Sequence, residues 1–173
     1  MKIDFIFSGA IAANVYRTTP RATADIDIAI PFNEQVLEAI KRKFINFEFI
    51  NWDILKERLE IKKKYKDVII PEFLRLKHVS GYEIDFFPLY SNYLLRKKKA
   101  KMLDFEIDVI GPEDLIIIKS IYYRPKDQDD IINILENSDL ELDLNYLIQE
   151  LQEFDKIEVI NQIRAIRMRD NTK

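Results

Sequence analysis

The 173-residue sequence has no cysteine, one histidine, one tryptophan and three glycines. The lack of cysteine excludes disulfide bonds, thiol catalysis and cysteine metal ligands. No apolar run approaches the roughly 18 residues of a membrane-spanning helix, and the apolar run at residues 5–7 is too short for a signal peptide. These absences predict a compact cytoplasmic protein without a membrane segment.

Charged residues, by contrast, make up 33% of the chain, and the 30 acidic residues outnumber the 27 lysines and arginines. The net charge of −3 disfavours a protein that coats nucleic acid non-specifically. Two basic clusters, at residues 62–66 and 96–101, stand apart from this balance. Such clusters are typical of solvated helix faces, and here they are also the candidates for a track along an RNA backbone.

The stretch at residues 25–30 alternates with period two, so it predicts a strand with isoleucines on one face and Asp25 and Asp27 on the other. The apolar face is expected in the core. At a rise of roughly 3.3 Å per residue, the Cα atoms of the two aspartates lie about 7 Å apart, and both carboxylates can reach one divalent cation. The acidic face is therefore a candidate metal site.

A glycine turn precedes this strand. Ser8, Gly9 and Ala10 end the apolar run at residues 5–7 and open a helix-like segment at residues 10–16. Glycine lets backbone N–H groups approach a phosphate closely, and the N-terminus of a helix favours an anion. The turn therefore predicts a phosphate cradle beside the acidic strand.

The glycine turn, the spacer and the Asp-x-Asp strand resemble the nucleotidyltransferase superfamily, which shares the palm of DNA polymerase β. With Arg21 and Thr23 before the aspartates, the pattern resembles the AbiEii-like branch, known mostly from bacterial and archaeal toxin–antitoxin systems. The superfamily usually has Gly-Ser or Gly-Gly at the turn. Here Ala10 follows Gly9, so Ser8 is the remaining candidate for a hydroxyl contact to a triphosphate.

A second signature lies in the C-terminal part. Lys119 is the only charge in the middle of a helix predicted to be buried, so it must reach water, a carboxylate or a bound anion. In the next predicted helix, at residues 126–136, Asp127 falls in register with the apolar side chains that are expected to face the core. A buried ion pair and a phosphate contact explain Lys119 equally well. The string Lys119, Arg124, Lys126, Asp127 and Asp130 also resembles the C-terminal signature of the AbiEii-like branch.

The remaining pattern predicts an α+β fold: a small mixed β-sheet with helices packed on one face, followed by a helical C-terminal portion. Helices are predicted at residues 34–44, 53–65, 93–102, 112–123, 126–136, 143–154 and 157–168, the third of them strongly basic. Strands are predicted at residues 73–79 and 82–87, as a hairpin, and at 105–110, at the sheet edge; residues 47–50 are ambiguous between strand and turn. The expected domains are a palm over residues 1–110 and a helical portion over residues 111–173, which can equally count as one.

The resemblance implies a Mg²⁺-dependent nucleotidyltransferase. Asp85, placed on its strand face by parity, would be the third carboxylate beside Asp25 and Asp27, holding two Mg²⁺ ions, and Lys119 would assist transfer from a nucleoside triphosphate. The phosphates would be bound by the other candidate residues, Ser8, Gly9, Ala10, Arg21, Thr23, Lys126 and Asp127. The preferred acceptor is RNA, with tRNA among the candidates and a cognate antitoxin as partner. The alternatives are a small hydroxylated acceptor and a catalytically silent protein that binds a partner.

Overall fold

The computed structural model describes residues 3–65 and 73–167. Lys66, at the end of the first basic cluster, and Met168, at the predicted end of the last helix, lie outside the described residues. None of the helices within these ranges combines the length and apolar character needed to cross a membrane.

The described residues form a mixed sheet of seven strands in the order β3-β4-β5-β2-β1-β7-β6. Strand β1 pairs antiparallel with β2 and parallel with β7, and β2 pairs parallel with β5; the other pairs are antiparallel. The strands are β1 Ile6–Phe7, β2 Asp25–Ile30, β3 Phe47–Phe49, β4 Leu74–His78, β5 Glu83–Pro88, β6 Lys98–Met102 and β7 Phe105–Val109.

Eight helices accompany the sheet within the same ranges. They are α1 Gly9–Tyr16, α2 Glu34–Lys43, α3 Trp52–Lys64, α4 Ser91–Arg96, α5 Pro112–Tyr122, α6 Pro125–Glu136, α7 Leu144–Glu153 and α8 Ile157–Arg167. The predicted α+β class, a mixed sheet followed by a helical C-terminal portion, is confirmed.

The predicted basic helix at residues 93–102 is wrong. Helix α4 ends at Arg96, and the lysine-rich remainder forms strand β6. Lysine favours helices only weakly, and here cross-strand pairing decides: Lys99 lies opposite Asp108 in the β6–β7 register, with their side-chain charges 3.1 Å apart.

The predicted edge position of residues 105–110 is also wrong. Strand β7 lies between β1 and β6, because Phe7 pairs with Val109 and Met102 pairs with Phe105. The edge strand on this side of the sheet is β6 instead. Lysines on an edge strand are a common protection against pairing with another chain.

Two apolar clusters hold these elements together. The first packs the isoleucine face of β2 against α2, α3, β4 and β5, with Leu37, Leu55 and Leu74 almost fully buried. The second joins β1, β7 and α1 to the C-terminal helices through side chains such as Ile6, Ile116, Leu115, Ala13 and Ile131. The period-two face prediction for β2 is thus confirmed, and Asp25 and Asp27 are left on the opposite face.

Candidate active site

Four carboxylate side chains lie on one face of two adjacent parallel strands. In the register of β2 and β5, Asp27 lies opposite Asp85 and Asp25 lies opposite Glu83. Neighbouring strands are about 4.8 Å apart, so the carboxylates lie side by side. The third acid therefore lies on the strand beside β2, as the resemblance implies.

Asp27 has the least compensated charge of this group. The pKa of Asp27 is raised to about 6, chiefly by burial and then by the nearby carboxylates of Asp25 and Asp85, while Lys119 and Lys126 act in the opposite direction. A carboxylate that is costly to ionise and has acidic neighbours is a site where a cation would be stabilised.

The glycine turn packs directly on Asp27. Gly9 has φ of +55°, and a Cβ atom at this position would lie 1.7 Å from Asp27 Oδ2. The backbone N–H of Ser8 donates to the carbonyl oxygen of Asp27 at 2.9 Å, and α1 begins at Gly9. The N-terminus of α1 and the acidic strand thus meet at a point where only glycine fits.

Asp25 differs from Asp27 in its partners. The Thr23 hydroxyl donates a hydrogen bond to the Asp25 carboxylate and is the main reason that the pKa of Asp25 is lowered. Lys126 Nζ lies 3.8 Å from Asp25 Oδ2, and this lysine remains about half exposed. Thr23 and Lys126 thus reach the acidic face, and their predicted contacts with phosphate stay predictions.

Asp85 is held by an arginine on the neighbouring strand. Arg75 Nε donates to Asp85 Oδ1 at 2.8 Å and Arg75 Nη2 donates to Asp85 Oδ2 at 2.6 Å. These hydrogen bonds raise the pKa of Arg75. Because the guanidinium takes both carboxylate oxygens, Asp85 faces Arg75 in this structure.

A buried ion cluster lies between α1, α5 and α6 and is centred on Asp130, which is fully buried. Asp130 accepts hydrogen bonds from Arg21 Nε and Nη2, both at 2.8 Å, and from Arg17. Lys119 Nζ lies 2.7 Å from its carboxylate. Burial alone would raise the pKa of Asp130, but Arg21 and Lys119 hold it at about 2.

Lys119 and Asp127 both belong to this cluster. Lys119 is almost fully buried and lies 3.5 Å from Asp127 as well as 2.7 Å from Asp130. Asp127 also closes the N-terminus of α6, since it accepts from Arg124 Nε at 2.7 Å and from the Arg124 backbone N–H at 3.2 Å. Lys119 thus lies in a buried ion pair, which is one of the two explanations that the sequence left open for it.

Sequence reasoning does not single out Arg17 or Arg75, and it includes Asp130 only in the C-terminal signature. A signal for Asp130 exists, because it follows Asp127 by three residues and so lies on the same helical face. Arg75 shares the polar face of its strand, but its partner becomes visible only when the hairpin register is known.

The donor chemistry of the acidic face suits a hard divalent cation, for which carboxylate oxygens are the preferred ligands. The Asp25 carboxylate already raises the cost of ionising Asp27. Within residues 3–65 and 73–167, however, no three acidic or histidine side chains converge as a ready metal site. Asp25 and Asp27 supply the oxygen ligands that such a cation prefers, whereas both oxygens of Asp85 are held by Arg75.

The architecture is that of the nucleotidyltransferase fold, as comparison with solved structures shows. The lincosamide antibiotic adenylyltransferase LnuA, solved with lincomycin bound, has a TM-score of 0.51 at 18% identity, over 78% of this chain and 87% of that chain. The antibiotic-resistance factor ANT(2'')-Ia gives a TM-score of 0.49 at 13% identity, over 98% and 84%. A nucleotidyltransferase-like protein from Paracoccidioides brasiliensis gives 0.46 at 15% identity, over 96% and 89%.

At these identities the similarity is one of fold. No protein-family model matches the sequence, and the comparison with curated proteins also gives no match. The comparisons therefore establish the fold, whereas membership of the superfamily and of its AbiEii-like branch stays a prediction.

Proposed function

We propose that this protein transfers a nucleoside monophosphate from a nucleoside triphosphate to an acceptor hydroxyl and releases pyrophosphate. The observation that carries the proposal is the contact between the Gly9 turn and Asp27. It joins a helix N-terminus, which favours anions, to a buried carboxylate with acidic neighbours. A triphosphate bound with a divalent cation has this pattern of charge.

Asp25, Asp27 and a released Asp85 would hold Mg²⁺, with two ions expected. Bound divalent cations would neutralise the triphosphate and the charge on the attacking and leaving oxygens. The backbone N–H groups of Gly9 and Ala10 would bind the β and γ phosphates. The acceptor oxygen would then bond to the α-phosphorus as the bond to pyrophosphate breaks, and Asp85 would take the acceptor proton.

The lysines and arginines would divide into two roles. Lys126 is about half exposed and lies beside Asp25, so it is the candidate for a direct phosphate contact. Arg21 and Lys119 are both bound to Asp130. We assign these two a supporting role, in which they fix α1 and the start of β2 against α6.

The charge on the edge of the sheet supports one choice of acceptor over another. RNA is the acceptor that the resemblance implies, but Lys97 lies 2.6 Å from Asp108 and Lys99 lies 3.0 Å from Glu106. These pairs reduce the positive charge available to an RNA backbone. A small hydroxylated acceptor needs no such track, and a similar fold occurs in the adenylyltransferase solved with lincomycin. We therefore rank a small hydroxylated molecule ahead of RNA.

The test incubates the purified protein with each α-labelled nucleoside triphosphate and Mg²⁺. One reaction series contains total RNA, and the other contains small hydroxylated molecules that include lincomycin and aminoglycosides. Asp27→Asn is the inactive variant. Asp53→Asn is the matched control, because Asp53 is exposed on α3, which packs on the opposite face of the sheet.

We expect wild type and Asp53→Asn to label an acceptor, and expect EDTA or Asp27→Asn to abolish the labelling. Labelled RNA, with growth arrest on expression in cells that Asp27→Asn relieves, would favour the toxin role and its antitoxin partner. No transfer to any acceptor, with no Mg²⁺-dependent stabilisation by a triphosphate, would contradict the proposal and leave a silent binding protein.

A further inference from the structure

The pair between Arg75 and Asp85 lies within the acidic face. Arg75 on β4 is opposite Asp85 in the antiparallel register, and Asp85 on β5 is opposite Asp27 on β2. Three successive strands therefore present a guanidinium, a carboxylate and a second carboxylate in one row. The guanidinium satisfies both oxygens of Asp85, at 2.8 and 2.6 Å.

The arginine backbone is fixed, while its side chain can change partner. The Arg75 N–H donates to Asn51 Oδ1 at 2.8 Å, and the Arg75 carbonyl accepts from the Ile50 N–H at 3.0 Å. The side chain is 39% exposed, and its Nη1 atom lies 3.4 Å from Glu83 Oε2. A second acid is thus within reach of the same guanidinium without any movement of the strand.

We propose that Arg75 is a displaceable internal cation that occupies Asp85 and passes to Glu83 when a divalent cation binds Asp85. This inference rests on the proposed function, since it concerns how Asp85 becomes available to the metal ion that the proposed function requires. The charge at Asp85 stays compensated throughout: first by the guanidinium, then by the metal ion. Glu83 keeps the displaced guanidinium on the same face.

The exchange has a measurable cost. A divalent cation must compete with Arg75 for Asp85, so its apparent affinity is reduced by the fraction of molecules in which Asp85 is available. A bidentate pair with partial solvent exposure is of modest strength. Removal of the guanidinium is therefore expected to tighten cation binding about five- to tenfold.

The experiment titrates the full chain with Mn²⁺, without nucleotide, and follows the loss of the free-ion EPR signal. Arg75→Gln is expected to bind Mn²⁺ about five- to tenfold more tightly than wild type. Lys77→Gln is the matched control: Lys77 lies on the same strand, is 51% exposed and lies 4.0 Å from Glu83. We expect its Mn²⁺ affinity to equal that of wild type.

Thermal unfolding gives a second readout that does not depend on activity. Without metal, Arg75→Gln is expected to melt below wild type because Asp85 loses its counter-charge beside Asp27, and Mn²⁺ is expected to raise its melting temperature more than that of wild type. Should Arg75→Gln fail to fold, Arg75→Lys replaces it. A lysine lacks the planar fork that takes both oxygens, so a smaller gain, about two- to threefold, is expected.

The outcomes separate this inference from the proposed function. If wild type binds Mn²⁺ and Asp27→Asn does not, but Arg75→Gln and Arg75→Lys bind no more tightly than wild type, the displacement is wrong and the proposed function stands. If wild type shows no Mn²⁺ binding that depends on Asp27, both are overturned.

Glu83→Gln tests the handover itself. In the wild-type background it is expected to weaken Mn²⁺ binding, because Arg75 loses its second partner, whereas in the Arg75→Gln background it is expected to have no further effect. Equal weakening in both backgrounds would identify Glu83 as a metal ligand and would overturn the handover.

Discussion

Gly9 touches Asp27 so closely that the smallest side chain at position 9 would overlap the Asp27 carboxylate. A Cβ atom would lie 1.7 Å from Oδ2 and 2.5 Å from Cγ of Asp27. This contact fixes the position of α1 relative to the acidic strand, since the Ser8 N–H also donates to the Asp27 carbonyl oxygen. The phosphate cradle and the candidate metal ligand are therefore one packed unit.

Gly9→Ala is expected to reduce nucleotidyl transfer at least about a hundredfold, because the added methyl displaces the Asp27 carboxylate by about 1 Å or more. Gly81→Ala is the matched control. Gly81 also has a positive φ, of +92°, but a Cβ atom there meets nothing within 4 Å. Both variants should lose about 1–2 kcal/mol of unfolding free energy in urea from backbone strain, and Gly9→Ala should lose more because its methyl group also overlaps Asp27. Transfer by Gly9→Ala within threefold of wild type would show that the contact is unimportant.

Asp27→Asn is expected to abolish transfer and to stabilise the protein in the absence of divalent cations. The folded pKa of about 6 lies above the ordinary value of 3.8, so ionised Asp27 costs stability as pH rises through this window. The cost at pH 7.5 is at most about 3 kcal/mol, and the neutral amide removes it. Melting temperatures measured with EDTA check the sign, with Asp53→Asn as the neutral control. A lower melting temperature for Asp27→Asn would contradict the prediction.

Asp130→Asn is expected to lose about 3–5 kcal/mol of unfolding free energy, because it leaves Arg17, Arg21 and Lys119 without their shared buried carboxylate. Asp129→Asn is the matched control on the same helix. Asp129 also binds Arg17, at 2.9 Å, but its side chain is 56% exposed, so a loss below about 1 kcal/mol is expected. Urea denaturation measures both. Equal losses would mean that the cluster does not hold α1 to α6.

The pKa of Asp130 predicts how the stability of the protein depends on pH in the acid range. The folded pKa of Asp130, about 2, lies below its ordinary value of 3.8, so its contribution is complete above the ordinary value and is lost as pH falls through the folded one. The difference in unfolding free energy between wild type and Asp130→Asn should therefore shrink by about 2 kcal/mol between pH 5 and pH 2. Urea titrations at several pH values measure it. A constant difference over this range would exclude Asp130 as the titrating group.

Local patterns were sufficient for much of the fold. The alternation at residues 25–30 predicted both the strand and its acidic face. The hairpin at Gly81 was also predicted correctly. These features depend on side-chain period and turn chemistry within a few residues, which are legible without the rest of the chain.

Residues 98–102 show where local reasoning failed. Lysine and alanine favour a helix, but the pairing of β6 with β7 supplies backbone hydrogen bonds and opposite charges that a helix would not have. The choice depends on a partner strand and on the position of that strand beside β1. Neither is contained in the local pattern.

The sequence by itself determined which residues carry charge and which face of each element they occupy. This was enough to select Gly9, Asp25 and Asp27 as site candidates, and the family resemblance added Asp85. The tertiary structure alone decided which charged side chains form ion pairs: Arg75 with Asp85, and Lys119 with Asp130 more closely than with Asp127. The reason is physical. The period of the side chains sets the face of a strand or helix on which each one lies. Ion pairs, however, form between elements, and the register and packing of those elements are set by the whole chain.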